Sequence, residues 1–350
     1  IDNNNLYFKN NGKSFSDVDW TRIKTIAKGN PNEHTVGCFG VGFYSVFSIS
    51  EEPIIISGDK CMQFRFVDDQ LKIKFIDNPE KSDWTTFIFN DFTDKTIQKY
   101  DRLVQFLSDS LMYTKNLKNI SLIVDNILHT KISKSLNLVD KINNNNISIN
   151  YSKSIQTNIQ SAEIYLLEIS TNSIVNSEIN NSENIINTEK YIYVDSQILL
   201  TFTDDYLKSF SKIFTKKLPN NTNIKLVYPF NVSNSQENIK KESVLQDYSI
   251  EYCSKDRETI QDGYIFIGYK TNQTTGYGFN INAQFIPTVE REAIDLNNIV
   301  VREWNFMLLG MSGTISKLYY NYKLNKFFEN SPLRLTTNQD LLMCQYSYKQ

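Results

Sequence analysis

The chain is predicted to be an α+β protein, a helix layer on mostly antiparallel sheet, repeated in two parts. Three observations lead there. An acidic-started helical rhythm is followed by a glycine-rich loop and a succession of strand-like runs. A second amphipathic helix closes that series. More strand patterns and a long helical period then fill the second half.

In chain order, residues 6–9 (LYFK) read as a strand and 10–14 (NNGKS) as a turn. Asp17 and Asp19 precede Trp20, Ile23, Ile26 and Ala27. Acidic residues before helically spaced apolar ones predict a helix, which GNPNE at 29–33 must break. Strands are predicted at 53–57, 61–67, 71–76 and 84–89, and a helix at 96–113 with Ile97, Tyr100, Leu103, Val104, Leu107 and Leu111 on one face. Residues 119–128 read as a further strand. Asn-rich stretches at 143–146, 171–189 and 231–238 are expected to be turns and solvated loops, since Asn competes with regular backbone hydrogen bonding. Strands return at 191–202, 224–230, 264–269 and 279–286. A helix over 301–326 carries Trp304, Met307, Leu308, Met311, Ile315 and Leu318 on one side. The expected domains are 1–140 and 141–330, with 331–350 a tail.

Composition narrows the function classes. A chain of 350 residues, 40% hydrophobic, can bury two cores. Its formal net charge of −2 gives no global basic field for nucleic acid or an anionic membrane, and neither partner is expected. Cys38, Cys61, Cys253 and Cys344 form no CxxC pair, which points away from zinc or a disulfide framework and toward a reducing cytoplasmic or nuclear setting. No apolar run is long enough to span a bilayer. The chain opens on Ile1 within a strand-like segment and is read as a piece whose start lies upstream.

The chemistry concentrates at Gly37-Cys38-Phe39-Gly40-Val41-Gly42-Phe43. This GxxGxG follows a broken helix instead of a strand, which is not the dinucleotide context, and no GK[ST] follows, which excludes a P-loop. Three glycines let backbone N–H groups approach anionic oxygens at the start of a Phe43–Phe47 helix. An ordinary flexible helix start is the alternative.

TIAKGN at 25–30 and VGCFGVGFYSVF at 36–47 resemble the lid and second glycine box of the GHKL (Bergerat) ATPases, in the heat-shock-ninety-like and sacsin-like branch. The segment 263–305, with its IPTVERE–D…WN run, is similar to the domain that follows the ATP module in sacsin-like proteins, and most of all to an uncharacterised family of large fungal proteins. The resemblance implies a two-layer Bergerat-type sandwich lacking its N-terminal part, then a second α+β domain with a long C-terminal helix. It implies ATP as cofactor, with Gly37, Gly40, Val41, Gly42 and Phe43 around the triphosphate and Lys28 near a phosphate. Thr85, with Thr86 as the alternative register, would serve the adenine side. Arg291 would reach the γ-phosphate, or else pair locally with Glu290 or Glu292. The 273–276 loop would approach the lid.

Two departures qualify this. The family's DxG triplet is Asn10-Asn11-Gly12 here, so an amide oxygen replaces the carboxylate that would accept from adenine. The helix bearing the family's general base and Mg²⁺-binding Asn would lie before Ile1, so Mg²⁺ is expected only with that helix, and slow or no hydrolysis by this chain alone. The expected function is an ATP-binding, chaperone-like or sacsin-like conformational module of a larger protein. That protein would bind ATP or ADP and protein partners, with homodimerisation in the full length. The alternative is a degenerate, non-catalytic interaction module that kept the fold.

Overall fold

The computed structural model describes residues 5–25, 42–68, 70–90, 100–142, 147–176, 182–214, 216–229 and 262–330. Among these the architecture is α+β, built on two sheets.

The smaller sheet has strand order β1-β3-β2, with β1 Leu6–Asn10, β2 Ile54–Val67 and β3 Gln70–Phe89, all antiparallel. The four strands predicted over 53–89 are two long ones. Gly58, at φ +63°, sits where the β2–β3 register shifts, and Asp68 at φ +49° helps turn the chain between them. A bulge bends a strand without ending it, so turn-like residues inside β2 and β3 did not interrupt pairing. Helix α1, Asp17–Ile23, starts as its sequence predicts. Ser16 Oγ accepts from the Asp19 N–H while the Asp19 carboxylate accepts from the Ser16 N–H at 2.9 Å, a reciprocal cap. Trp20 from α1 and Phe43 and Phe47 from the 3-10 helix Gly42–Ser48 join Ile55, Met62 and Phe64 in one core.

The larger sheet runs β11-β10-β12-β9-β8-β7-β5-β4, with the short β6 (Ser148–Ile149) beside β7. Its strands are β4 Asn119–Val124, β5 Ile127–Lys141, β7 Ile155–Asn176, β8 Ser182–Phe202, β9 Asn221–Pro229, β10 Tyr264–Phe266, β11 Lys270–Thr274 and β12 Asn280–Asn282. Only β10 and β12 pair in parallel. Helix α2, Tyr100–Tyr113, packs on one face with Leu111 and Met112 against Ile132, Leu167 and Ile169. Helices α3, Asp204–Ser211, and α4, Ile299–Asn330, cover the other face, where Trp304, Met307, Leu308, Met311 and Ile315 meet Ile164, Val194 and Leu226. The central strands are thus buried on both sides. The helix stripe read over 301–326 is the face that packs.

Several readings change. Helix α2 and strands β4 and β5, placed with the first part from sequence, belong to the second sheet, because β5 pairs with β7 from Thr130 to Lys141. The run 119–128 is broken by a turn at Asp125 and Asn126, at φ +48° and +63°, the handedness that joins two twisted antiparallel strands. Residues 171–176 and 182–189, expected in a solvated loop, are the far end of the β7–β8 hairpin, paired as far as Asn176↔Ser182. The register set by Ile159 through Ile169 carries the polar tip along, since each further pair extends an existing ladder. Segments 143–146 and 231–238, the helix start at 96–99 and the 331–350 tail lie outside the described residues. No helix among the described residues is long and apolar enough to cross a membrane.

Candidate functional site

Of the residues singled out from sequence, Lys28, Gly37, Gly40 and Val41 lie outside the described residues. Asn10, Asn11, Gly12, Gly42, Phe43, Thr85 and Arg291 fall inside them, and they form two groups.

The first group is on the smaller sheet. Asn10 stands directly opposite Thr85 in the β1–β3 ladder. Its Oδ1 accepts from the Gly12 N–H at 3.2 Å, which folds Asn10-Asn11-Gly12 into a side-chain-closed turn. Thr85 is buried, and its hydroxyl meets Ser57 Oγ at 2.6 Å; Ser57 Oγ also accepts from the Phe15 N–H at 2.9 Å. Asn10 and Thr85 are therefore brought together, but their polar atoms are engaged within the fold, fastening the β1–α1 connection to the sheet. Thr86, the alternative, is buried one position on, opposite Lys9 and Ile56.

The second group brings the two sheets together. Gly42 is exposed at the start of the 3-10 helix. A Cβ placed on it would lie 3.2 Å from Arg291 Nη2 and 3.3 Å from Nη1, so the guanidinium rests on the bare Gly42 backbone. Phe43 turns its ring into the core, 5.0 Å from Phe64, and Tyr44 donates to the Ile23 carbonyl at 3.0 Å. The end of the glycine box is thus anchored to α1 and to the core of the smaller sheet. The expected helix at 43–47 is this 3-10 helix.

Arg291 sits at the tip of a built loop. Pro287 bridges Ile294, the Thr288 N–H donates to the Ala293 carbonyl at 2.9 Å, and the Arg291 N–H donates to the Thr288 carbonyl at 3.0 Å. Arg291 adopts φ +62°, a left-handed conformation costing on the order of 1–3 kcal/mol in a non-glycine residue. The surroundings compel it. Asn305, fully buried on α4, accepts from the Ile286 N–H at 2.9 Å and donates to the Ile286 carbonyl at 2.9 Å and the Asp295 carbonyl at 2.8 Å. Trp304 Nε1 donates to the Gln284 carbonyl at 2.9 Å. Gln273 Oε1 accepts from the Ile294 N–H at 3.2 Å, and the Asn272 N–H donates to the Glu292 carbonyl at 2.8 Å. The Trp-Asn pair of the IPTVERE–D…WN run is therefore the clamp of the arginine loop. Gln273, expected in an exposed loop, is in β11 and braces that clamp.

Among the described residues Arg291 forms no ion pair, with Glu290, Glu292 or any other carboxylate. Its cation acts on Tyr269: burial raises that phenol and Arg291 opposes the rise. The Tyr269 hydroxyl is buried without a hydrogen-bond partner. Among the described residues no cluster of three His, Cys, Asp or Glu could hold a metal.

Asn305 and Tyr269 were not picked from sequence. Asn305 lay in the quoted motif, but its part became visible only when α4 was set against the 286–295 loop.

Residues 2–75 match the sacsin domain, and residues 168–339 match a Protein of unknown function (DUF3684). The two matches support a sacsin-like relationship. Gly42 falls in the first matched segment and Arg291 in the second, so their contact joins the two. No curated protein matches the chain.

Proposed function

We propose that the chain is a sacsin-like, GHKL-type ATP-binding module in which an arginine of the second sheet reads the phosphate end of a nucleotide held at the glycine box. The contact between Arg291 and Gly42 carries this reading. A guanidinium with no ion-pair partner among the described residues, beside exposed glycine backbone, suits an anion with planar oxygen geometry, and a strained residue held by a dedicated clamp is a common mark of function. The Gly42 backbone and the Arg291 guanidinium are suited to the phosphate end of such a nucleotide. Backbone N–H groups of Gly37, Gly40, Val41, Gly42 and Phe43 would hold it, with Lys28 adding a point charge, and the nucleotide would supply the negative charge that the Arg291 side lacks. Asn10 and Thr85 would face the base. Arg291, on a different sheet from Gly42, would then couple occupancy to the position of the larger sheet and to whatever protein partner that sheet serves.

One observation favours a second reading, a degenerate interaction module. The Asn10 and Thr85 side chains already satisfy each other's neighbourhood through Gly12 and Ser57, leaving adenine to compete with internal hydrogen bonds.

Calorimetric titration of ATP and ADP, with and without Mg²⁺, separates the two. The module predicts that wild type binds ATP in preference to ADP, that Gly40→Glu abolishes binding, and that Arg291→Ala equalises the two nucleotides. Absence of heat for both nucleotides in wild type would reject ATP binding and leave the interaction module.

A further inference from the structure

A cavity of about 600 Å³ opens at one end of the larger sheet and shares no residue with the Gly42–Arg291 contact. Its position follows from strand lengths. β8 pairs with β9 from Asn221 to Pro229, whereas β12 pairs only with Lys225–Val227. The outer edge of β9 over 221–224 is thus left without a strand, and the cavity lies along that gap.

The lining combines two chemistries. Lys115, Lys216, Lys217 and Lys225 bring four ammonium groups, against Asp195 as the one carboxylate among the lining residues. Among the described residues Lys115, Lys217 and Lys225 form no ion pair, and the Asp195 carboxylate accepts from Asn223 Nδ2 at 2.8 Å. Lys225 is half-buried, its Nζ donating to the Tyr113 carbonyl at the end of α2 at 3.3 Å and lying 5.8 Å over the Tyr193 ring. Burial depresses its pKa, Asp195 opposes the fall, and Lys115 adds to it. Thr222 adds a buried hydroxyl with no hydrogen-bond partner. Leu218 and Phe285 form an apolar wall.

We infer that this cavity is a binding site for a small phosphorylated organic molecule, its phosphate held by Lys115, Lys217 and Lys225 and its body against Leu218 and Phe285. Several ammonium groups lining one cavity are better neutralised by a dianionic phosphate than by a single carboxylate. A partly enclosed volume of this size, apolar on one side with a few polar groups on the other, suits a small molecule.

Calorimetry on the whole chain tests this with phenyl phosphate and inorganic orthophosphate as probes. Phenyl phosphate is expected to bind, and several-fold more tightly than orthophosphate. Lys115→Ala/Lys217→Ala changes two exposed side chains and is expected to weaken phenyl phosphate about tenfold or more, while Arg291→Ala leaves its Kd within about twofold. Lys225→Met, with its folding checked by circular dichroism, is expected to weaken it as well. The site is refuted if phenyl phosphate gives no heat at millimolar concentration, if the double variant binds it like wild type, or if Arg291→Ala weakens it as much as the double variant does. Equal affinity for the two probes overturns the organic body. Because Arg291→Ala is also the variant that probes ATP, loss of one ligand does not imply loss of the other.

Discussion

The two sheets are stabilised differently. The smaller one is covered on one face by α1 and the 3-10 helix, with four fully buried apolar residues at its centre: Trp20, Ile55, Met62 and Phe64. Elsewhere on it Phe8 and Trp84 are 58% and 46% exposed. The larger sheet is sandwiched, with one core under α2 and another under α3 and α4. The difference assigns them roles. A thinly covered sheet opens locally at lower free energy, and the Gly42–Phe43 end of the glycine box packs on it. A sheet packed on both faces gives a rigid base for a strained arginine.

Four measurements would break or sharpen this contrast. Trp304→Ala, in the core under α4, is expected to cost roughly 3–5 kcal/mol in global stability and to free the Gln284 carbonyl, read by denaturant unfolding. Trp20→Ala removes a comparable side chain from the thin core. Hydrogen exchange should then show lost protection over 54–67 with 155–202 unchanged, and loss in both would mean the two sheets unfold as one unit. Next comes Asn305→Ala, which leaves the Ile286 N–H and the Asp295 carbonyl without their partner, while the Ile286 carbonyl keeps the bond from the Asp295 N–H. It is expected to cost about 2–4 kcal/mol and to erase the proposed ATP-over-ADP preference, as Arg291→Ala is expected to, whereas a merely structural residue would leave that preference intact in the folded fraction.

The third is a pH dependence. Lys134 donates to the Leu111 and Thr114 carbonyls, and burial, with the Lys225 cation second, holds its pKa down to about 8 from 10.5. Below pH 8 it is charged folded or unfolded, and the burial penalty is fully present. Between 8 and 10.5 the unfolded chain keeps a proton that the folded one has released, so stability rises with pH. Lys323, also held to about 8 by burial, acts in the same direction. Above pH 10 the tyrosines whose hydroxyls burial keeps protonated, such as Tyr191 and Tyr193, reverse the slope. Lys134→Met should flatten the rise by on the order of 1–2 kcal/mol across that window, followed by thermal unfolding at stepped pH. The smallest effect is expected at the α1 cap: Ser16→Ala should cost about 1 kcal/mol, confined to the smaller sheet.

Local signals were legible where the chain's own periodicity decides the outcome. The acidic start before Trp20 became a capped helix, and the stripe from Trp304 to Ile315 became the buried side of α4. Signals that depend on a partner strand were not. The Ile-Thr-Ile alternation at 155–159 was passed over, and the Asn-rich 171–189 was read as loop, because polar residues at a hairpin tip are held by register with their opposite strand and not by their own propensity. Bulges at Gly58 and turns at Asp125-Asn126 were likewise read one way and built the other.

The same division runs through the candidate site. Residue order alone marked the glycine box and nominated Arg291, since glycines followed by an aromatic heptapeptide, and an arginine between two glutamates, are statements about neighbours in the chain. That Arg291 lies on Gly42 and ignores both glutamates, that Asn305 clamps it, and that the Thr85 hydroxyl is bonded to Ser57 depend on groups 249, 14 and 28 positions apart. Such contacts are set by how sheets and helices stack, and no local rule of backbone preference encodes them.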